Sequence, residues 1–181
     1  FWDAVVGGRS VGTPGTPMLM EEAHARWGSA DWAGLFADAI ALADGGFTVS
    51  ERMASSIAGG EERLRTFART EEYFFPGGTA LQAGDTLTNA DYADTLRLIA
   101  AHGAEIFYEG AIADDIVAPV RTAAGNPGVL STTDLEIYEV VEREPVCVTY
   151  RSYEVCGMGP PSSGALTVGQ ILGMLDRYDL A

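Results

Sequence analysis

Apolar residues recur at helical spacing through most of the chain and switch to alternation only near its end. Trp32, Leu35, Phe36, Ala39, Ile40 and Ala43 follow i, i+3, i+4, i+7 steps. That pattern predicts an amphipathic helix over residues 31–44, stopped by Gly45-Gly46. Met18, Leu19, Glu22, Ala23 and Trp27 mark the buried face of an earlier helix. Thr16 caps it, Pro17 takes its first position and Gly28 ends it. Residues 61–69 predict a charged, exposed helix. Residues 89–102 predict a helix with Thr88 and Asp91 as its capping pair and Leu96, Ile99 and Ala100 inward. A helix over 111–124 holds Pro119 in its middle. Residues 3–6 predict a short strand.

The last third alternates with period two over 146–150 and 153–156. With Arg151-Ser152 as a two-residue turn, Tyr150 opposes Tyr153, Val148 opposes Val155 and Cys147 opposes Cys156. Counted out from the turn, Cys147 and Cys156 form a non-hydrogen-bonded pair, where side chains approach closely. A disulfide fits there, and so do two unlinked thiols. Arg-Ser is not a favoured tight-turn pair, which leaves the register open. Pro160 and Pro161 then bar a helix before them. Ser162 or Ser163 supplies a cap for an apolar helix that carries Leu166, Gly169, Gln170, Ile171, Leu172 and Leu175. The whole pattern is α+β, a largely helical chain with one β-hairpin.

Composition narrows the function classes. The 181 residues carry a net charge of −15, and all 11 basic residues are Arg. Without Lys the chain has no Schiff-base lysine, no P-loop lysine and no Ser–Lys dyad. No basic stripe is present to displace phosphate counterions, so nucleic acid is not an expected partner. No apolar run reaches the length of a membrane span. The two Cys and two His (His24 and His102) are too dispersed for a zinc site. The chain begins Phe-Trp-Asp without Met and closes just past a helix, so both ends are expected to be cut from a longer chain.

Candidate chemistry is sparse. Residues 7–17 form a Gly- and Pro-rich loop before a helix, a place where phosphate can bind, but no Walker lysine or Gly-x-Gly-x-x-Gly follows a clear strand. Tyr73, Phe74 and Phe75 offer rings to a sugar or base, or pack under a loop. Ser162 or Ser163 with His24 or His102 would make a serine hydrolase, yet no Gly-x-Ser-x-Gly is present. Asp114 and Asp115 are adjacent on a helix and diverge by about 100°, which suits a solvated face.

Five stretches carry a resemblance. Gly12-Thr13-Pro14-Gly15 follows a short apolar segment and precedes a helix. Leu42-Ala43-Asp44-Gly45-Gly46-Phe47-Thr48-Val49 ends a Leu- and Ala-rich helix. Gly84-Asp85-Thr86-Leu87 leads, after a helix and Gly103, into Phe107-Tyr108-Glu109-Gly110-Ala111-Ile112-Ala113. Leu130-Ser131-Thr132-Thr133-Asp134-Leu135 runs on to Tyr138. Pro160-Pro161-Ser162-Ser163-Gly164 opens the last helix. In order and spacing these resemble the middle and late large subunit of the γ-glutamyltranspeptidases, N-terminal nucleophile hydrolases.

That resemblance implies one partial domain, 1–181, of an αββα sandwich. It implies a parent precursor that cleaves itself before a Thr, which then attacks γ-glutamyl amides of glutathione-like substrates. The family context of that residue is Thr-Thr-His. Thr132-Thr133 is followed by Asp134 and matches a helix cap instead. The family's carboxylate-gripping Arg lies in an Asp-Phe-Arg-Glu-like context that is absent here, and Arg9 does not match it. No catalytic, cofactor-binding or metal residue is therefore assigned to this chain. Its expected partners are the small catalytic subunit and the rest of the large subunit, with no cofactor. The resemblance suggests a periplasmic or extracellular setting. A cephalosporin acylase-like amidase and a non-enzymatic helical scaffold or binding module are the alternatives.

Overall fold

The computed structural model describes residues 2–180 and divides the chain into two compact units, Phe1–Glu139 and Val140–Ala181. The first unit is helical, with one small ladder. It opens with α1 (Trp2–Val5). The expected strand over 3–6 is instead a helical turn, and among the described residues no strand pairs with it. Its carbonyls turn instead to side chains. Asn126 Nδ2 donates to the Val6 carbonyl at 2.8 Å, and Ser10 Oγ donates to the Val5 carbonyl at 2.6 Å. Gly8 N–H donates back to the Asn126 carbonyl at 2.8 Å. A Cβ on Gly8 would stand 2.0 Å from the Val120 carbonyl oxygen, so the Gly-rich loop packs backbone against backbone here.

Helix α2 (Thr16–Trp27) has Gly15 rather than Thr16 at its cap position, and Pro17 in its first turn. Its expected buried face is only half-formed. Met18 and Ala23 are partly covered, but Leu19 and Trp27 are exposed. The predicted helix 31–44 begins as a 3-10 turn, Ala33–Phe36, and becomes α3 (Ala37–Gly45). Asp31 Oδ2 accepts from Gly34 N–H at 2.8 Å and tightens that start. Phe36 and Ala43 are buried as predicted, while Leu35 and Ala39 face outward. β1 (Phe47–Thr48) follows, then α4 (Glu51–Gly59), whose cap Ser50 accepts from Met53 N–H at 3.2 Å.

The predicted helix 61–69 is two pieces, α5 (Glu61–Leu64) and α6 (Ala68–Phe74). Arg65 sits at the break. Its guanidinium bonds Glu61 at 2.8 Å, Glu71 at 2.7 Å and the Gly78 carbonyl at 2.9 Å, and lies 4.0 Å over the Phe75 ring. Two carboxylates hold its proton more tightly than usual. Phe75 is fully buried with Val49, Ile57, Leu81 and Leu87, so this ring packs rather than binds.

β2 (Thr86–Leu87) pairs antiparallel with β1, Phe47 opposite Leu87 and Thr48 opposite Thr86. Helix α7 (Ala90–His102) is capped by Asn89, which accepts from Tyr92 N–H at 2.9 Å. The cap is therefore one residue beyond the predicted Thr88. α7 packs on the 3-10 turn before α3 through Phe36, Leu96 and Ile99, and Trp32 Nε1 donates to the Ile99 carbonyl at 3.1 Å. α8 (Glu105–Tyr108), α9 (Gly110–Thr122, with Pro119 inside) and α10 (Thr132–Glu136) enclose Ala104, Tyr108, Ala113, Val117, Leu130 and Leu135.

The second unit is a hairpin and a helix. β3 (Val146–Tyr150) and β4 (Tyr153–Gly157) pair in the predicted register, Tyr150 opposite Tyr153 and Cys147 opposite Cys156. Arg151 accepts a left-handed conformation at φ 56°, and its N–H donates to Asp176 Oδ1 at 3.3 Å. Helix α11 (Gly164–Leu175) lies on the hairpin. A Cβ on Gly169 would stand 2.8 Å from Val148 Cγ1, which fixes how closely helix and strand meet.

Candidate functional site

Within the first unit the stretches that carry the resemblance meet in two groups. The Gly12–Gly15 loop is held from below by Tyr108. The Tyr108 hydroxyl donates to the Pro14 carbonyl at 2.8 Å and accepts from Met18 N–H at 3.3 Å. Its ring stacks on Tyr138, centroids 5.6 Å apart and planes 3° from parallel. Burial pushes the Tyr108 phenol up, partly opposed by the Met18 N–H. A Cβ on Gly15 would stand 2.1 Å from the Tyr138 hydroxyl, while one on Gly12 would meet nothing within 4 Å. Of the two loop glycines, only Gly15 is required by packing.

Tyr138 is delivered by α10, which a reciprocal cap starts. Ser131 Oγ accepts from Asp134 N–H at 3.3 Å, and Asp134 Oδ2 accepts from Ser131 N–H at 2.8 Å. The Ser131 hydroxyl also donates to Asp134 Oδ2 at 2.8 Å, and this bond, with the Ser131 N–H, holds the Asp134 carboxyl below the ordinary range. Thr132 and Thr133 lie in the first turn of that helix.

The second pair of stretches forms the small ladder. Val49 N–H donates to the Asp85 carbonyl at 2.8 Å, and Gly84 N–H donates to the Val49 carbonyl at 2.9 Å. The Asp85 carboxylate closes its own turn on Gln82 N–H at 2.7 Å. Asn89 N–H reaches the Ala43 carbonyl at 2.7 Å. Thr86 is exposed and Leu87 buried in the core.

In the second unit Pro160 and Pro161 are joined by a cis bond. Ser162 N–H donates to the Gly159 carbonyl at 3.0 Å, and Ser162 Oγ accepts from Gly164 N–H at 3.2 Å. Ser162, not Ser163, therefore serves the start of α11. Cys147 and Cys156 are linked as a disulfide, their Cα atoms 4.1 Å apart.

Of the remaining residues that could act in catalysis, one is engaged and the others are exposed. His24 Nε2 bonds the Ala30 carbonyl at 2.9 Å and its ring lies against Trp32. His102 is exposed in the last turn of α7. Asp114 and Asp115 are exposed on α9, and Arg9 is exposed in its loop. A hollow of about 920 Å³ in the first unit is lined by Arg69, Glu72, Asp91, Asp94 and Asp115 among others, without Ser, Cys or His. Among the described residues, the one group spaced for a metal is Cys147, Glu154 and Cys156, whose two sulfurs are already joined.

Comparison with known proteins decides what this framework is. The sequence profile described as Gamma-glutamyltranspeptidase matches residues 2–181. The chain belongs to the γ-glutamyltranspeptidase family. It is 35% identical over 182 residues to the glutathione hydrolase proenzyme of Bacillus subtilis strain 168, covering all of this chain and 30% of that protein. It is 36% identical over 176 residues to the Acylase ACY 1 proenzyme of Pseudomonas sp. strain V22, covering 97% of this chain and 31% of that one. The crystal structure of Helicobacter pylori γ-glutamyltranspeptidase superimposes with a TM-score of 0.92 at 34% identity, over 98% of this chain and 50% of that one. The chain thus spans about 30% of the length of these curated relatives. Its α+β fold is that of the family. Among the described residues no helix is long and apolar enough to cross a membrane.

Tyr108 and Tyr138 stand in the sequence only as motif positions, and nothing local in them shows that they carry the Gly12–Gly15 loop. The one available signal was the pairing itself: a Gly beside a Pro in one motif and a Tyr in each of two others. Asn126 was missed outright.

Proposed function

We propose that this chain is the middle-to-late part of the large subunit of a γ-glutamyltransferase/hydrolase and serves as its scaffold. The whole protein transfers or hydrolyses γ-glutamyl groups of glutathione-like substrates. A Thr outside this chain, freed as the N-terminus of the small subunit, attacks the γ-amide carbonyl. Its α-amine titrates near neutrality, takes the hydroxyl proton and returns it to the departing amine. The acyl-enzyme ester then passes to water or to the amine of an acceptor amino acid.

The observation that supports this reading most is a coincidence of two facts. The family match runs from residue 2 to residue 181, while the motif residues within it bond to one another and leave no nucleophile–base pair among the described residues. Helix α11 supports the partner assignment. Leu166, Val168, Ile171 and Met174 are all exposed on it in the second unit. A helix apolar on every side suits burial against the rest of the large subunit and the small subunit.

A second reading, an acylase-like amidase of the same architecture, is favoured by the 36% identity to the Acylase ACY 1 proenzyme. The test is expression of the whole gene, a denaturing gel, N-terminal sequencing of the smaller band and an assay with γ-glutamyl-p-nitroanilide. A new N-terminal Thr with anilide release is the expected result. A new N-terminal Thr without release selects the acylase reading, and no cleavage overturns both.

A further inference from the structure

We draw no further inference here: the strongest candidate, the apolar hollow of about 510 Å³ that Leu42, Phe47, Leu87 and Tyr92 line between α3, the β1–β2 ladder and α7, carries nothing because nothing in the structure shows what covers it.

Discussion

The Tyr108 hydroxyl donates to the Pro14 carbonyl at 2.8 Å across 94 positions of sequence. This bond, with the Met18 N–H that the same oxygen accepts, fixes both the end of the Gly12–Gly15 loop and the start of α2. A buried oxygen that both donates and accepts is costly to remove, because its two partners are then left unsatisfied. Tyr108→Phe is expected to destabilise the protein by about 1–3 kcal/mol. Urea denaturation measures the change, and hydrogen exchange should place the loosening in residues 12–20.

The same residue predicts an alkaline limit. Burial raises the folded phenol above its ordinary value. A raised folded pKa contributes stability that is complete below the unfolded pKa, about 10, and is lost as pH rises through the folded value. Stability should fall more steeply above about pH 10 in the wild type than in Tyr108→Phe. Equal slopes in denaturant titrations from pH 9 to 11 would count against burial of the neutral phenol.

Two glycines of one motif should behave differently. Gly15→Ala places a methyl group 2.1 Å from the Tyr138 hydroxyl and must push that ring off Tyr108. Overpacking of this kind costs about 1–3 kcal/mol. Gly12→Ala meets open space and should stay within about 0.5 kcal/mol of the wild type. Thermal unfolding of the two variants side by side checks the contrast.

Asp134 sets an acid response. Hydrogen bonds from Ser131 depress its folded pKa. A depressed carboxyl contributes stability that is present above the unfolded pKa, about 3.9, and is lost as pH falls through the folded value. Ser131→Ala removes the main cause, so its stability should decline less steeply below about pH 5 than that of the wild type. Direct titration of the Asp134 carboxyl by NMR should show its midpoint moving up in the variant.

The sequence patterns were readable where structure is local. Leu96 and Ile99 mark the inner face of α7, and the alternation of Val148 with Cys147 marks the two faces of the hairpin, because both follow from a short-range period, whereas the register rests on the turn at Arg151-Ser152. The breaks were not readable. Arg65 ends α5 by bonding Glu71 and Gly78, partners that no helical period announces. Residues 3–6 look like a strand by composition, but the bonds that decide their shape come from Asn126, more than a hundred positions away. Trp27 fits an apolar stripe by spacing and yet is 77% exposed. The motifs that placed the chain in its family could be recognised one by one. That Pro14 meets Tyr108, and Val49 meets Asp85, depends on contacts between distant segments.

The central claim is that this chain holds an enzyme together without supplying its reacting groups. The most direct measurement is kcat for γ-glutamyl-p-nitroanilide release by the processed full-length protein carrying, one at a time, Ser162→Ala, Ser163→Ala, His24→Ala or His102→Ala. Each folded variant should keep kcat within about threefold of the wild type. A hundredfold loss in any variant that folds and processes normally would place a catalytic residue in this chain, since removal of one catalytic group typically costs about 10²–10⁴ in rate.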